Sequence, residues 1–166
     1  MPVLHALARQ PELWDENTLR TTHPGTAHAD VSDIWVWFND VMDPAAVVDD
    51  RQTVPYPAWQ ALPQLRPIIF DLMRAVEGVQ LGRVLITRLP PGKRIAPHTD
   101  GGAPATFYSR YQIALQNLPG AVFRVGDEQV TFQPGDCWLI DNTKEHEVIN
   151  NSADDRLALI IDIRNG

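Results

Sequence analysis

The sequence predicts a mainly β fold, a β-sandwich or jelly-roll barrel, with helical segments packed on the outside of the larger sheet. Two observations support this prediction. From about residue 82 onward, short apolar and β-branched runs alternate with Gly/Pro turns at regular intervals, which is typical of such folds. Residues 1 to about 80 are mixed instead, with one strand pattern, one proline-rich stretch and one helical pattern.

The first part of the chain contains one predicted strand and one predicted helix. Residues 34–38 form an aromatic and β-branched run between polar residues, which indicates a buried strand. Prolines make the following stretch irregular until a helix can start. Gly78 is well placed to end that helix. The apolar residues that repeat at helical spacing are Leu65, Ile69, Leu72 and Val76.

The second part is predicted to be a series of strands. Gly126-Asp127 is a two-residue loop of the hairpin type, and Pro134-Gly135-Asp136 is a further turn. No internal repeat or linker interrupts the series. The predicted strands cover residues 84–89, 94–98, 111–116, 121–125, 128–132, 137–140 and 157–163.

Size and composition are those of a soluble globular protein. We interpret residues 1–166 as one domain. Residues 81–166 are expected to form the core strands and the metal site, and residues 1–80 to support them. A net charge of −7 argues against a nucleic-acid surface and a basic membrane-docking patch. Cys137 is the single cysteine, which fits a reducing cytoplasm. We expect neither a signal peptide nor a membrane span.

The most informative pattern is His98-Thr99-Asp100, followed by His146 and, ten residues later, Arg156. Two imidazoles and one carboxylate are the facial ligand set of non-haem Fe(II). On a strand, i and i+2 side chains share a face, so one metal can take both His98 and Asp100. A third ligand from a distant strand leaves open positions for O2 and a co-substrate. Arg156 adds a cation suited to a bidentate carboxylate. We therefore predict an iron enzyme that uses an α-keto acid.

A second His-x-Asp pattern, His28-Ala29-Asp30, competes for the ligand role. We rank it lower, because only the later copy follows a strand at the mouth of the predicted barrel and has a downstream histidine and arginine. His28 is expected to be a capping or surface residue near the site, and His5 and His23 to be exposed. Arg156 begins an almost wholly apolar strand, so its side chain is expected to point into the barrel. A buried guanidinium needs a carboxylate, which a 2-oxoglutarate tail would supply.

These motifs resemble the aspartyl/asparaginyl β-hydroxylase family of Fe(II)- and 2-oxoglutarate-dependent dioxygenases. The likeness rests on residues 97–100 (Pro-His-Thr-Asp), residues 110–115 (Arg-Tyr-Gln-Ile-Ala-Leu), and residues 145–148 (Glu-His-Glu-Val) with Arg156. It covers the second half of the chain well and the first half loosely. The resemblance implies a double-stranded β-helix (jelly-roll, cupin-like) core. It also implies hydroxylation coupled to the decarboxylation of 2-oxoglutarate to succinate and CO2.

The resemblance also implies roles for single residues. His98 and His146 match the two iron-binding histidines, and Asp100 completes the triad where some members have glycine. Arg156 matches the arginine that grips the distal carboxylate of 2-oxoglutarate. The remaining co-substrate residues are Thr87, which matches a helping hydroxyl, Arg110, which matches an arginine near the keto-acid end, and Gln112, which replaces a histidine of some members.

Substrate identity and oligomeric state stay open at this point. The short chain, without the membrane anchor and helical repeats of the animal enzymes, favours an amino-acid-like small molecule over a peptide or protein. Arg88, Arg94 and Asn117 are candidate contacts for an acidic or zwitterionic substrate. Two alternatives remain: a cupin-type metal protein, either an isomerase or another dioxygenase, and a non-catalytic binding module. Arg156 argues against the first and the intact triad against the second.

Overall fold

The computed structural model of the protein describes residues 2–41 and 51–166. The predicted strands are all present; several are longer than predicted, whereas the strand predicted at 128–132 ends at Val130. The helices are α1 (Pro2–Ala8), α2 (Leu19–Thr22), α3 (Ala58–Ala61), α4 (Leu65–Ala75) and α5 (Gly102–Phe107), with a 3-10 turn at Pro11–Leu13. The strands are β1 (Ser32–Phe38), β2 (Val54–Pro55), β3 (Gly78–Leu89), β4 (Arg94–His98), β5 (Ser109–Gln116), β6 (Ala121–Val125), β7 (Glu128–Val130), β8 (Cys137–Ile140), β9 (His146–Asn150) and β10 (Arg156–Asn165).

The strands form two antiparallel sheets, as expected for a jelly roll. The six-stranded sheet has the order β2-β1-β3-β10-β5-β8, and the four-stranded sheet has the order β4-β9-β6-β7. Buried residues of both sheets meet in one apolar cluster, so the sheets face each other. That cluster consists of Val31, Leu89, Ile95, Ala114, Phe123, Phe132, Ile140 and Val148.

The outer face of the larger sheet is covered by the helices, as predicted. Leu65 and Ile69 of α4 are fully buried against the sheet, and Val3 and Leu7 of α1 belong to the same cluster. Because strand side chains alternate, this face takes every second residue of the central strands. On β10 these residues are Leu157, Leu159, Ile161 and Ile163.

The opposite face of the larger sheet carries the polar residues of the barrel interior. On β10 they are Arg156 and Asp162, which alternate with the helix-facing residues and are almost fully buried. Thr87 of β3 pairs with Ala158, and Arg110 of β5 pairs with Asp162. Period-2 alternation therefore delivers polar side chains from three adjacent strands into one interior.

Gly78 does not end α4 in the way the sequence predicts. The left-handed residue after the helix is Glu77, with φ of 54°, while Gly78 begins β3. A Cβ at Gly78 would lie 2.6 Å from Cγ2 of the buried Ile163. The glycine is thus explained by the close approach of α4 and β10, not by a helix cap.

This difference predicts opposite effects of two neighbouring substitutions on stability. In Gly78→Ala the new methyl group would crowd the side chain of Ile163, which should lower the free energy of unfolding by about 1–3 kcal/mol. Glu77→Gly removes a left-handed non-glycine residue from an exposed position and should stabilise by up to about 1 kcal/mol. Urea unfolding of both variants checks the signs. Stabilisation by Gly78→Ala would show that the approach of Ile163 does not require a glycine at this position.

Candidate metal centre

The smaller sheet and the segment that follows β4 bring the three predicted ligands together. His98 ends β4 and lies directly opposite His146 at the start of β9. Asp100 lies two residues beyond the end of β4, and not on a strand as the spacing argument assumed. The ligand atoms of His98, Asp100 and His146 all lie within 4.8 Å of one another. These distances suit a single ion held by all three side chains.

Each histidine is oriented so that one ring nitrogen faces the other ligands. Nδ1 of His98 lies 2.8 Å from the carbonyl oxygen of Ala96, and Nδ1 of His146 lies 2.9 Å from that of Lys144. A proton on Nδ1 that is donated to a carbonyl leaves the Nε2 lone pair free for a metal. Both Nε2 atoms face Oδ1 of Asp100, at 3.4 Å for His98 and 3.9 Å for His146.

The other oxygen of Asp100 is held by the protein. Oδ2 accepts a short hydrogen bond from Arg110 and one of 2.9 Å from Nδ2 of Asn142. Burial by itself would raise the pKa of Asp100. The guanidinium of Arg110 and the hydrogen bonds of His98 and Asn142 outweigh burial and hold this pKa well below its usual range. The carboxylate is therefore ionised and aimed at the two histidines before any metal binds.

Arg110 is itself fixed by a second carboxylate. Its Nε and NH2 groups donate to Asp162 at 2.8 and 2.9 Å, a bidentate pair on neighbouring strands. Burial alone would lower the pKa of Arg110, but Asp162 and Asp100 raise it above the ordinary arginine value. The predicted contact of Arg110 with the keto acid stays a prediction, and in this structure Arg110 holds the candidate ligand Asp100.

This arrangement predicts that Asp162 supports metal binding without touching the metal. Asp162→Asn removes the charge that holds Arg110, so Arg110 and Asp100 lose their fixed geometry. Losing such an outer partner typically weakens metal binding about 10–100-fold. Anaerobic Fe(II) titration against a competing chelator measures the change. The matched control is Asp71→Asn, because Asp71 pairs with Arg74 on the exposed surface. Equal affinities of the Asp162 variant and the control would contradict the role.

Arg156 lines a small cavity that is also lined by the two histidines, His98 and His146. This inner cavity has a volume of about 30 Å³ and is also lined by Thr87, Gln112 and Phe123. The Arg156 side chain points into the barrel, as predicted, and is only 3% exposed. Burial lowers its pKa to about 10.

The contacts of Arg156 include no carboxylate within the described ranges. Its guanidinium carbon lies 5.9 Å from the ring centre of Phe123 and 5.5 Å from that of Phe132. Its one hydrogen bond to a described side chain is a long one, 3.4 Å to Oε1 of Gln112. A buried cation with so few acceptors is costly unless a ligand supplies the anion.

His28 is not the surface residue that the sequence analysis expects. Its ring contacts that of His98 edge to face, with 4.7 Å between centroids. Burial, followed by the nearby charges of Arg20 and His98, lowers the pKa of His28 to about 2. It is not part of the ligand cluster, and it borders both the inner cavity and a larger outer one. His5 and His23 are exposed, as expected.

The three residues predicted to contact a substrate lie elsewhere. Arg88 stacks over the ring of Trp14, 4.4 Å from its centre. Arg94 is exposed at the start of β4, and Asn117 is buried and donates to the carbonyl oxygen of Phe132. The prediction failed because polarity does not reveal which strand face a side chain occupies. The arginines that do line the cavities beside the metal centre, Arg20 and Arg83, were missed.

Fold and site together define a class: jelly-roll proteins whose barrel interior holds a centre of two histidines and one carboxylate. The aspartyl/asparaginyl beta-hydroxylase family matches residues 14–165, and the chain belongs to that family. This match confirms the resemblance drawn from the sequence motifs. No curated protein matches the chain.

Two solved structures illustrate what the chain is similar to, and the first of them shares its fold. An oxidoreductase of the 2OG-Fe(II) oxygenase family from Burkholderia pseudomallei is 20% identical, with a TM-score of 0.58 over 96% of this chain and 78% of that one. A cupin domain from Bordetella pertussis is 19% identical, with a TM-score of 0.41 over 52% and 84% of the two chains. Within residues 2–41 and 51–166, no helix has the length and apolar character needed to cross a membrane.

Proposed function

We propose that the protein is an Fe(II)- and 2-oxoglutarate-dependent dioxygenase that hydroxylates an amino-acid-like small molecule, with an Asp/Asn-type residue as the alternative substrate. The observation that carries the proposal is Arg156, a buried guanidinium that lines the same cavity as the candidate ligands His98 and His146. Family membership and the preformed His98, Asp100 and His146 cluster support the same reaction class. The division of labour between residues 1–80 and 81–166 stays a prediction.

The donor set fits Fe(II), and the cavity chemistry fits a dicarboxylic keto acid. Two imidazole nitrogens and one carboxylate leave open positions, which non-haem iron oxygenases need. Within the described chain, Arg156 has no acidic partner, so a ligand carboxylate would balance its charge. When bound, the iron activates O2, and decarboxylation of 2-oxoglutarate to succinate and CO2 supplies the two electrons that balance hydroxylation of the substrate.

The chain's own residues position and shield this chemistry. Arg156 and the Thr87 hydroxyl would bind the distal carboxylate and fix the direction in which the keto acid points. The inner cavity is also lined by His98 and His146, so a keto acid whose distal carboxylate is held by Arg156 would direct its other end at the candidate metal centre. Apolar neighbours such as Phe123 and Ile160 exclude water from this space, which strengthens the polar contacts within it.

Metal analysis combined with a succinate assay tests the proposal. We expect one Fe(II) per chain and O2-dependent formation of succinate from 2-oxoglutarate, stimulated by substrate. Metal binding without succinate formation under any condition would favour a cupin-type protein that does not use 2-oxoglutarate. Absence of both metal and turnover would favour a binding module.

The proposed substrate is a small molecule and not a folded protein. The net charge of −7 disfavours approach of acidic proteins at long range. We expect free carboxylic and amino acids to stimulate succinate formation, and Asp- or Asn-containing peptides not to do so. Mass spectrometry of both substrate sets for a gain of one oxygen atom provides the measurement. Turnover with peptides alone would restore the analogy to the protein hydroxylases.

A further inference from the structure

The space outside the metal centre consists of two neighbouring cavities that share six lining residues. One, of about 230 Å³, lies against Trp35 and Phe38 of β1. The other, of about 200 Å³, reaches Asp100 and Arg110 at the metal centre. We call the two together the outer pocket. Arg20 and Arg83 line both parts, and Arg20 also borders the inner cavity. The outer pocket is therefore continuous with the place where the reaction would occur.

Arg20 is held rigidly at this junction by a buried carboxylate. Its Nε and NH2 groups each donate to Asp33 at 2.8 Å, and the side chain of Asp33 is fully buried while that of Arg20 is 17% exposed. The pair occupies one edge of a guanidinium that has five N–H donors. The other edge can serve a ligand in the cavities that Arg20 lines, at little entropic cost because the side chain is already fixed.

Arg83 brings a second guanidinium to the same pocket. Its Nε donates to Oδ1 of Asn39 at 2.7 Å, and its guanidinium lies over the ring of Phe38 at 4.4 Å. Burial lowers the pKa of Arg83, although Asp162 opposes this shift. The protein thus holds two partly desolvated cations beside one cavity, an arrangement that favours an anionic ligand.

The other described lining residues add apolar surface and little negative charge. In the cavity against β1, no described lining residue carries a carboxylate. In the other cavity, the carboxylate among the described lining residues is that of Asp100, which faces the metal centre. Trp35 and Phe38 stack at 3.8 Å and form one wall. The indole N–H of Trp35 is buried and has no acceptor among the described residues. The two arginines would repel a ligand ammonium, whereas a ligand carboxylate could accept hydrogen bonds from them.

We propose that Arg20 and Arg83 bind the carboxylate of a monocarboxylic acid whose hydrocarbon body lies against Trp35 and Phe38, and that this acid is the substrate. The carboxylate is the recognised group, and a free amino group is not required. That the acid is the substrate rests on the proposed function. Binding of the acid itself can be measured without turnover.

The test uses four probes of nearly equal shape: 4-methylpentanoate, 4-methylpentanamide, 4-methylpentylamine and L-leucine. Binding is followed by ligand-observed NMR on the whole protein, with and without Zn(II) and 2-oxoglutarate, so that no reaction occurs. We expect 4-methylpentanoate to bind at least about tenfold more tightly than the amide and the amine, and at least as tightly as L-leucine. Equal binding of acid and amide, tighter binding of L-leucine, or no binding by any straight or branched acid of three to eight carbons would overturn the proposal.

Variants assign the effect to the two arginines. Arg83→Gln should weaken binding of 4-methylpentanoate about tenfold or more and leave binding of the amide unchanged. Arg83→Lys should retain part of the affinity, because the charge stays and the planar fork is lost. The double variant R20Q/D33N removes the second cation without leaving the Asp33 carboxylate unpaired, and should act like Arg83→Gln.

Arg88→Gln is the matched control, because Arg88 lies on the same strand as Arg83 but stacks on Trp14 outside the pocket. Thermal unfolding establishes that each variant is folded. Unchanged acid binding in both the Arg83 variant and the double variant would overturn the proposal. Arginine-dependent acid binding in a protein that forms no succinate would instead count against the proposed function alone, so the two failures are distinguishable.

Discussion

The variant His146→Ala is expected to bind Fe(II) far more weakly than the wild-type protein. In the wild-type protein, Nε2 of His146 faces Oδ1 of Asp100, and the ring centroids of His146 and His98 lie 4.3 Å apart. Removing the outer partner of a ligand already costs about 10–100-fold in metal affinity, so removing one of three ligands should cost more. Anaerobic titration with Fe(II) against a chelator measures the loss, and absorption of the iron complex gives the stoichiometry.

His28→Ala is the control for this prediction. Like His146, His28 is a histidine whose ring contacts that of His98, but it does not belong to the ligand cluster. It should keep most of the iron affinity, while His98→Ala and Asp100→Ala should behave like His146→Ala. Loss of iron in the His28 variant together with normal binding in the His98 variant would mean that the wrong His-x-Asp motif was chosen.

The strands could be predicted from the sequence because short apolar and β-branched runs are separated by Gly/Pro turns. On β10, Arg156 precedes an almost wholly apolar run, so both the strand and the inward arginine follow from the sequence. The short helices were not predicted. α2 and α5 have four and six residues, too few for a helical period to appear.

The candidate ligands could be predicted, but the residues that support them could not. His98 and Asp100 are neighbours in sequence, and their geometry is local. Asn142, Asp162 and Arg20 reach the site from segments far apart in the chain, and only strand register and chain reversal bring them there. Asp162 had one usable signal, a single carboxylate within an aliphatic run. Without knowledge that it pairs with Arg110, that signal does not identify a partner.

Replacing Arg156 by alanine is expected to weaken binding of 2-oxoglutarate while leaving the iron content unchanged. The loss of a charge-assisted pair between a guanidinium and a ligand carboxylate in an enclosed cavity costs on the order of 2–5 kcal/mol. Because no described carboxylate pairs with Arg156, the substitution leaves no protein charge stranded. The variant should therefore fold, with a stability change set by the loss of packing on Phe123 and Phe132.

Anaerobic calorimetry with 2-oxoglutarate on the iron-loaded protein provides the measurement. Arg164→Ala is the control, because Arg164 lies on the same strand but is exposed and stacks over Phe107. Succinate monomethyl ester and succinate, used as competitors, test whether the lost interaction is with a carboxylate. The wild-type protein should prefer succinate, and the Arg156 variant should show little preference. Equal affinity of the wild-type protein and the Arg156 variant for 2-oxoglutarate would remove the observation on which the proposed function rests.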